Sequence, residues 1–592
     1  AAGAEGVEGA ACAETVGYMG MPWQDSDLAK WLEAGGYILA AAPDAQLEEA
    51  AEVAIEVLMQ AQMADGYLNS YFTVKEPGKR WTNLRDRHEL YCAGHLIEAA
   101  VAYYEGTGKV QILKVARRLA DHICSRVGKG ADQQRGFPGH EEIELALVKL
   151  YRATGEKRYL DQARYFVDER GTAPEFFAVE AEKDGRSATE KYDLAYYQAH
   201  LPVREQQSAE GHAVRAVYLY AAMADLARET DDAALHGACR ALWRNMVSRR
   251  MSIHGGIGVS RFGERFTFDY DLPNEEVYAE TCAAIGLVFF AQRMLALEPR
   301  GEYGDVMERA LYNGVISGVS LDGTRFFYSN YLASKPGAHG FNNLNKPERV
   351  GWFGCACCPP NLARLTASLG SYAYGVSAET LYVHLYANSQ IETELGNQAV
   401  TFRQRTDYPW EGRIEGEVSM ESSAVFTVAL RLPGWCRSAV LTVNDEQVAI
   451  GDILDEGYVY VKREWQSGDR IGLRLEMPVE RVHANPQVRQ TCGRTALMRG
   501  PLLYCLEACD NGADLNALSL PADAGLGAEW RADLLGGVMV IRGEAQRDQS
   551  EDWGETLYRA EGSGTERVAM TAVPYYAWAN RGKGEMVVWV RE

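Results

Sequence analysis

The apolar period of this chain changes near residue 380, and a chain that changes period must change architecture with it. Upstream, apolar residues recur at three-and-four spacing over 28–40, 47–63, 95–104, 112–127, 143–154, 159–168, 212–230 and 233–247, with short polar or glycine-containing loops between. Downstream, the segments 381–387 (LYVHLYA), 426–432 (FTVALRL), 458–461, 471–477 and 586–590 are short and strand-like, several of them alternating. Asn444-Asp445 and Ser467-Gly468-Asp469 supply turns between them. A chain of 592 residues is too long for a single core. The pattern predicts an α+β multidomain protein: a helical domain over 1–380, a β-sandwich over 381–490 and a C-terminal β domain over 491–592. No low-complexity linker marks the switch, so the domains are expected to pack closely.

Inside the helical part a Gly-His dipeptide recurs, as Gly94-His95, Gly139-His140 and Gly211-His212, each placed to open a helix. Repeated helix pairs either stack as a solenoid or close as a toroid. Solenoid repeats are nearly equal in length, whereas these starts are 45 and 72 residues apart. A closed helical toroid is therefore expected, with His95, His140 and His212 around one mouth. Sixty basic residues against 82 acidic ones leave a net charge of −22. That sign excludes a phosphate-backbone binder and an anionic-membrane binder, so neither nucleic acid nor membrane is an expected partner. No apolar run approaches the ~20 residues of a bilayer-spanning helix. Ala1-Ala-Gly-Ala-Glu has neither a basic nor an apolar leader region, so a cytoplasmic location is expected.

Of the twelve cysteines, most are expected to be buried reduced thiols. Four stand apart. Cys282 lies in Glu280-Thr-Cys282, and the others in Cys355-Ala-Cys357-Cys358-Pro359-Pro360-Asn361. Residues i and i+2 diverge on a regular helix, so Glu280 and Cys282 converge only on extended backbone or across a helix start. Adjacent cysteines are too close for an ordinary disulfide. Two prolines before a helical pattern put Cys357 and Cys358 at a helix N-terminus, where the dipole favours thiolate. Glu280, Cys282, Cys357 and Cys358 make four ligands of the kind zinc accepts, and four close a tetrahedral shell without Cys355. Packed, reduced cysteines account for the same residue types. Glu264, in Ser-Arg-Phe-Gly-Glu-Arg-Phe, sits in an aperiodic loop suited to an active-site acid or to a solvated carboxylate.

Together these segments resemble glycoside hydrolase family 127, the β-L-arabinofuranosidases. The likeness is carried by Tyr278-Ala-Glu280-Thr-Cys282-Ala-Ala with Cys357-Cys358-Pro-Pro-Asn361. Asp65-Gly-Tyr-Leu-Asn-Ser-Tyr-Phe72, His88-Glu-Leu-Tyr-Cys-Ala-Gly-His95 and Gly211-His-Ala-Val-Arg-Ala216 add to it. The resemblance implies an (α/α)6 barrel followed by β-sandwich domains. It also implies a Zn2+ held by Glu280, Cys282, Cys357 and Cys358. Hydrolysis would be retaining, with Cys357 as nucleophile, Glu264 as acid/base, and His95, His140, His212 and Tyr328 touching the sugar. Ser329-Asn330-Tyr331 departs from the proline-containing version expected beside Tyr328. A thiolate suits the role because it is strongly nucleophilic and leaves readily once its pKa is depressed. Glu264 would need a pKa raised towards neutrality. The expected partners are an arabinofuranoside or related oligosaccharide and, through the β domains, a second copy of the chain. Three other readings remain open: the same mechanism on a branched acidic deoxy-pentose of pectin, a zinc-containing carbohydrate-binding protein without catalysis, and a His/Tyr lyase or epimerase.

Overall fold

The computed structural model describes residues 18–173, 175–186, 193–337, 346–549 and 553–592, and Cys12 lies outside them. The principal helices come in pairs: α1 (Asp25–Ala41) and α2 (Ala45–Ala61), α3 (Glu89–Thr107) and α4 (Gln111–Arg126), α5 (Ile143–Thr154) and α6 (Lys157–Glu169). The series continues with α7 (Ala213–Thr230) and α8 (Ala233–Arg249), α9 (Thr281–Leu297) and α10 (Gly301–Arg309), then α11 (Cys358–Ala367). Each odd-numbered helix packs on the next and α11 returns to α1, closing an (α/α)6 toroid with the even-numbered helices outside.

The two rings are written differently in the sequence. Outer α4 buries Ile112, Val115, Ala116, Leu119 and Ile123, one stripe at three-and-four spacing, and leaves its arginines outward. Inner α3 is buried on every side from Glu89 to Tyr103, and α9 from Thr281 to Ala291. Small residues let these inner helices approach closely. A methyl on Gly36 of α1 would lie 2.6 Å from the Tyr103 backbone nitrogen of α3.

The three Gly-His pairs do not share a register. His140 and His212 stand at helix entries, His212 being the N-cap of α7, but His95 lies well inside α3, whose N-cap is His88 at φ 58°. The glycines differ in cause too. A side chain on Gly94 would run into Glu142 and Ile143 at the start of α5, whereas Gly211 needs its φ of 73°.

Beyond the toroid, a five-stranded sheet (Tyr374–Val376, Thr380–Val383, Ala424–Arg431, Leu454–Asp455, Tyr458–Trp465) and a six-stranded sheet (Ser389–Leu395 through Arg470–Leu475) share one apolar core. Phe402, Ile414, Val428, Trp465 and Leu473 fill it, the arrangement of a sandwich. Fully buried Arg431 ties the sandwich to α10 through Glu308, 2.6 Å away. The strand Val479–Val482 pairs with Arg494–Arg499 and so joins the last sheet, ahead of the boundary at 490 that the periodicity places. This ten-stranded sheet also recruits Ala333–Ser334 from the helical part, antiparallel to Met586–Val587. Its core mixes Leu503, Val573 and Trp578 with Val277, Ala279 and Phe327, so the C-terminal domain buttresses the loops leading into α9. No helix among the described residues is long and apolar enough to cross a membrane.

Candidate active site

The backbone on either side of α9 explains how Glu280 and Cys282 converge. Ala279 is left-handed (φ 41°), and Glu280 pairs antiparallel with Ser329 before becoming the N-cap of α9. The Thr281 N–H donates to the Tyr328 carbonyl at 2.9 Å. Asn330, at the position where the resemblance leads one to expect proline nearby, clamps this entry by donating to the Ala279 carbonyl and the Thr281 hydroxyl, each at 3.0 Å. Glu280 is therefore off the helix while Cys282 is on it, and both point one way. The second strand of the site arrives on α11. Cys357 is its N-cap and Cys358 its first residue, followed by two prolines whose missing N–H groups would have had no helical partner.

These elements bring four ligand atoms, from Glu280, Cys282, Cys357 and Cys358, within 4.8 Å of one another. The Cys357 sulfur is 3.4 Å from Glu280 Oε1 and 3.7 Å from the Cys358 sulfur, which lies 3.5 Å from that of Cys282. Cys355 lines the same pocket outside this group of four. Burial, then the neighbouring Cys357 charge, pushes the Glu280 carboxyl well above its ordinary range. Burial pushes the Cys282 thiol up as well, but hydrogen bonds from Cys357 and Cys358 bring it down to about 6. Glu280 Oε2 is buried with no hydrogen-bond partner. An orphaned carboxylate oxygen among three sulfurs is the donor set of a borderline-soft cation, and the four side chains fit a metal ion.

Glu264 occupies a left-handed turn (φ 53°) across from this cluster. Its Oε2 is 2.8 Å from His212 Nε2, and its Oε1 accepts from the Tyr278 hydroxyl at 2.8 Å. The Arg215 N–H reaches His212 Nδ1 at 3.5 Å, which leaves the proton on Nε2 facing Glu264. Burial raises the Glu264 pKa, but the donors His212 and Tyr278 and the Arg215 charge outweigh it and hold the carboxyl below its ordinary value. The sequence expectation was a raised pKa; the two hydrogen bonds reverse its direction. Burial likewise holds His212 below its usual value, so the pair is a neutral imidazole donating to a carboxylate. His212, Glu264 and Glu280 also lie within 4.8 Å of one another, which joins the two halves.

The pocket between them encloses about 310 Å³, the size of a single small sugar with water. Its lining includes Trp23, His88, Tyr91, His140, His212, Tyr218, Glu264, Glu280, Tyr328, Cys355 and Cys357. Tyr328 places its hydroxyl 3.4 Å from the Cys357 sulfur. His88, His140 and His212 form a row, with ring centroids 5.6 and 5.7 Å apart. His95 is not in this row. It is 0% exposed beneath Tyr91, with Nδ1 3.0 Å from the Glu142 carboxylate. Among the described residues, His88 takes the place that the Gly-His pattern assigns to His95. The signal for it was the helix entry rather than the dipeptide. Tyr278 and Tyr91 stand within the motifs quoted from the sequence but are given no role there, and Tyr218 is not singled out.

A helical toroid that presents a carboxyl group and a thiol to one sugar-sized pocket, backed by β domains, has the build of a glycoside hydrolase. Comparison with known proteins makes the assignment specific, and the chain belongs to glycoside hydrolase family 127. Residues 2–371 match the family's β-L-arabinofuranosidase catalytic domain, 380–477 its middle domain and 479–591 its C-terminal domain. The non-reducing end β-L-arabinofuranosidase of Bifidobacterium longum subsp. longum is 42% identical, covering 97% of this chain and 90% of its own length. The solved family 127 β-L-arabinofuranosidase from Geobacillus stearothermophilus T6 is 53% identical, with a TM-score of 0.98 over 100% of this chain and 94% of its own. A second solved family 127 β-arabinofuranosidase is 38% identical, with a TM-score of 0.89 over 100% of this chain and 91% of its own.

Proposed function

We propose that this glycoside hydrolase releases L-arabinose from the non-reducing ends of β-L-arabinofuranosides by a retaining mechanism. The observation that carries the reading is the junction of the two halves of the site. A thiol at a helix N-terminus and a hydrogen-bonded carboxyl face one pocket, bridged by Glu280. Cys357 is the nucleophile and Glu264 the acid/base. Attack of the Cys357 sulfur on the anomeric carbon breaks the glycosidic bond while Glu264 gives its proton to the leaving oxygen. Glu264 then takes a proton from water as that water displaces the sulfur. The sugar must enter with Glu264 protonated, so its displacement of the His212 or Tyr278 hydrogen bond is part of binding. His88, His140, His212 and Tyr328 supply hydrogen-bonding groups around the ring. Glu280, Cys282, Cys357 and Cys358 would hold zinc, which keeps thiols deprotonated and fixes their direction. No lysine or arginine lines the pocket among the described residues, which favours a neutral sugar over the acidic deoxy-pentose.

The test is hydrolysis of nitrophenyl β-L-arabinofuranoside, with mass spectrometry of the protein after brief exposure to a slow substrate. The expected result is turnover by wild type, a pentosyl adduct on the peptide carrying Cys357, and loss of at least about a thousandfold in kcat for Cys357→Ser. Full activity of Cys357→Ser would overturn the nucleophile assignment. Hydrolysis of other furanosides but not this one would overturn the substrate.

A further inference from the structure

A second cavity, of about 180 Å³, lies between the toroid and the C-terminal domain, and the charges on its wall have one sign. Arg249, Arg309 and His483 line it, and no aspartate or glutamate does among the described residues, in a chain with 82 acidic side chains. Two of the three are matched from outside the cavity: Arg249 pairs with Asp269 at 3.0 Å, and His483 with Glu592 at 3.0 Å. Arg309, the last residue of α10, is not matched. Among the described residues its guanidinium has neither a hydrogen bond nor an ion pair. The acids beside it in the chain, Asp305 and Glu308, are both taken by Arg431 of the sandwich. A guanidinium drawn out of bulk water without an acid is costly unless an anion meets it.

The polar groups around Arg309 are unused as well. Ser252 is 1% exposed. Its backbone N–H and carbonyl close a turn with Gly256 and Gly255 at 2.9 Å each, but its hydroxyl has no protein partner. A methyl on Gly255 would lie 2.7 Å from Ala310 Cα, so this turn is packed on the backbone next to Arg309. Asn274 lines the same cavity; its amide N–H donates to the Gln490 carbonyl at 3.3 Å, and its buried Oδ1 accepts nothing. The wall thus offers a forked cation, a hydroxyl and one acceptor. An oxyanion that keeps a proton, such as hydrogen phosphate, satisfies all three, whereas a bare carboxylate leaves the acceptor unused.

We infer that this cavity is a phosphate-binding site, with Arg309 as its cation, the Ser252 hydroxyl as a donor and Asn274 Oδ1 accepting the anion's remaining proton. The strand that ends at Val482 closes the far wall, so the bound anion ties α10 to the C-terminal domain. The site is separate from the catalytic pocket, and the inference does not depend on the reaction proposed above.

The experiment is calorimetric titration of the full-length protein with inorganic phosphate near neutral pH, ionic strength being held constant with sodium chloride. Wild type should bind phosphate saturably, and its unfolding temperature should rise with phosphate concentration. Arg309→Met should weaken binding at least about tenfold and abolish the rise, while Ser252→Ala should weaken it about threefold or more. Arg309→Lys should fall between wild type and Met, since a point charge loses the fork. If Arg309→Met does not fold, the Lys and Ala variants still read the site. Acetate should bind more weakly than phosphate; equal affinity would overturn the role given to Asn274. Phosphate that does not saturate wild type, or that binds the Arg309 variants as tightly as wild type, overturns the inference.

Discussion

At the scale of single residues, two hydrogen bonds decide how Glu264 behaves. Tyr278 and His212 each donate to one of its oxygens at 2.8 Å. Burial alone would raise its pKa, and these donors turn the shift downward. The proton must be on Glu264 when the glycosidic bond breaks, so kcat/KM should fall as pH rises through the Glu264 pKa. Tyr278→Phe removes one donor to the carboxylate form and leaves the desolvation in place. The Glu264 pKa should therefore rise, and the alkaline limb of kcat/KM should move to higher pH than in wild type. A pH–rate profile of the two proteins on one aryl arabinofuranoside checks this. A limb that stays put or moves to lower pH would show that Tyr278 does not control the ionisation.

At the scale of elements, the ring is closed by α11, and one side chain does most of the closing. Buried Arg364 reaches Glu33 of α1 at 2.9 Å, Glu98 of α3 at 2.5 Å and the Tyr218 hydroxyl of α7 at 3.1 Å, while also bonding Asn361 at 2.6 Å. Lys149 shares Glu98 and Glu33 from α5. Replacing Arg364 by Met leaves two buried carboxylates with one cation, and breaking such a pair costs about 3–5 kcal/mol. Urea unfolding should show that loss, and kcat should fall because Cys357 is the N-cap of α11. Lysine should not restore either, since a point charge cannot fork to several partners; a loss under about 1 kcal/mol would refute the closing role. None of this network is visible in the sequence, because its members come from five helices far apart in the chain. Outer helices such as α4 were legible, having one apolar stripe and one wet face. Among the inner helices, α9 is not read at all and α3 only from residue 95, because a helix buried on all sides has no polar face to set its period. The site itself divides the same way. Glu280, Cys282, Cys357 and Cys358 declared themselves by residue type, and a cluster of that chemistry is rare enough to read. His88 was hidden because three Gly-His pairs look alike in one dimension while their glycines answer different backbone demands. Tyr218, which lines the pocket and meets Arg364, is an ordinary residue made special only by what folds against it.

At the scale of the whole molecule, the interior buries ionisable groups outside the Glu280–Cys282–Cys357–Cys358 cluster, and they contribute to how stability follows pH. Burial pushes Glu89 up to about 8, against hydrogen bonds from Tyr67 and Trp81. Burial pushes Glu141 up to about 8, against the Arg170 charge, and Glu180 up to about 7, against N–H donors from Leu84 and Arg85. Each folded pKa exceeds the ordinary 4.5, so the folded chain keeps a proton that the unfolded chain gives up. Their contribution is whole below the unfolded value and drains away as pH climbs from 4.5 to about 8. Burial holds His254 and His384 down to about 3, the second with help from Arg431. For these the folded form is neutral, and their contribution is whole above 6.5 and drains away as pH falls. Between 4.5 and 6.5 the two sets oppose each other and stability should change little. Above 6.5 the histidines contribute no slope, and the three carboxyl groups outnumber the Cys282 thiol, whose pKa of about 6 works in the opposite direction, so the unfolding midpoint should fall from pH 6.5 to about pH 8. Urea titrations across this range, in a fixed excess of chelator, check the slope without the protons that metal binding releases. Glu141→Gln cannot ionise and should flatten the decline. A midpoint that rises through this window, or a Gln variant with an unchanged slope, would mean that these carboxyl groups find charge partners as the pH rises and ionise at little cost.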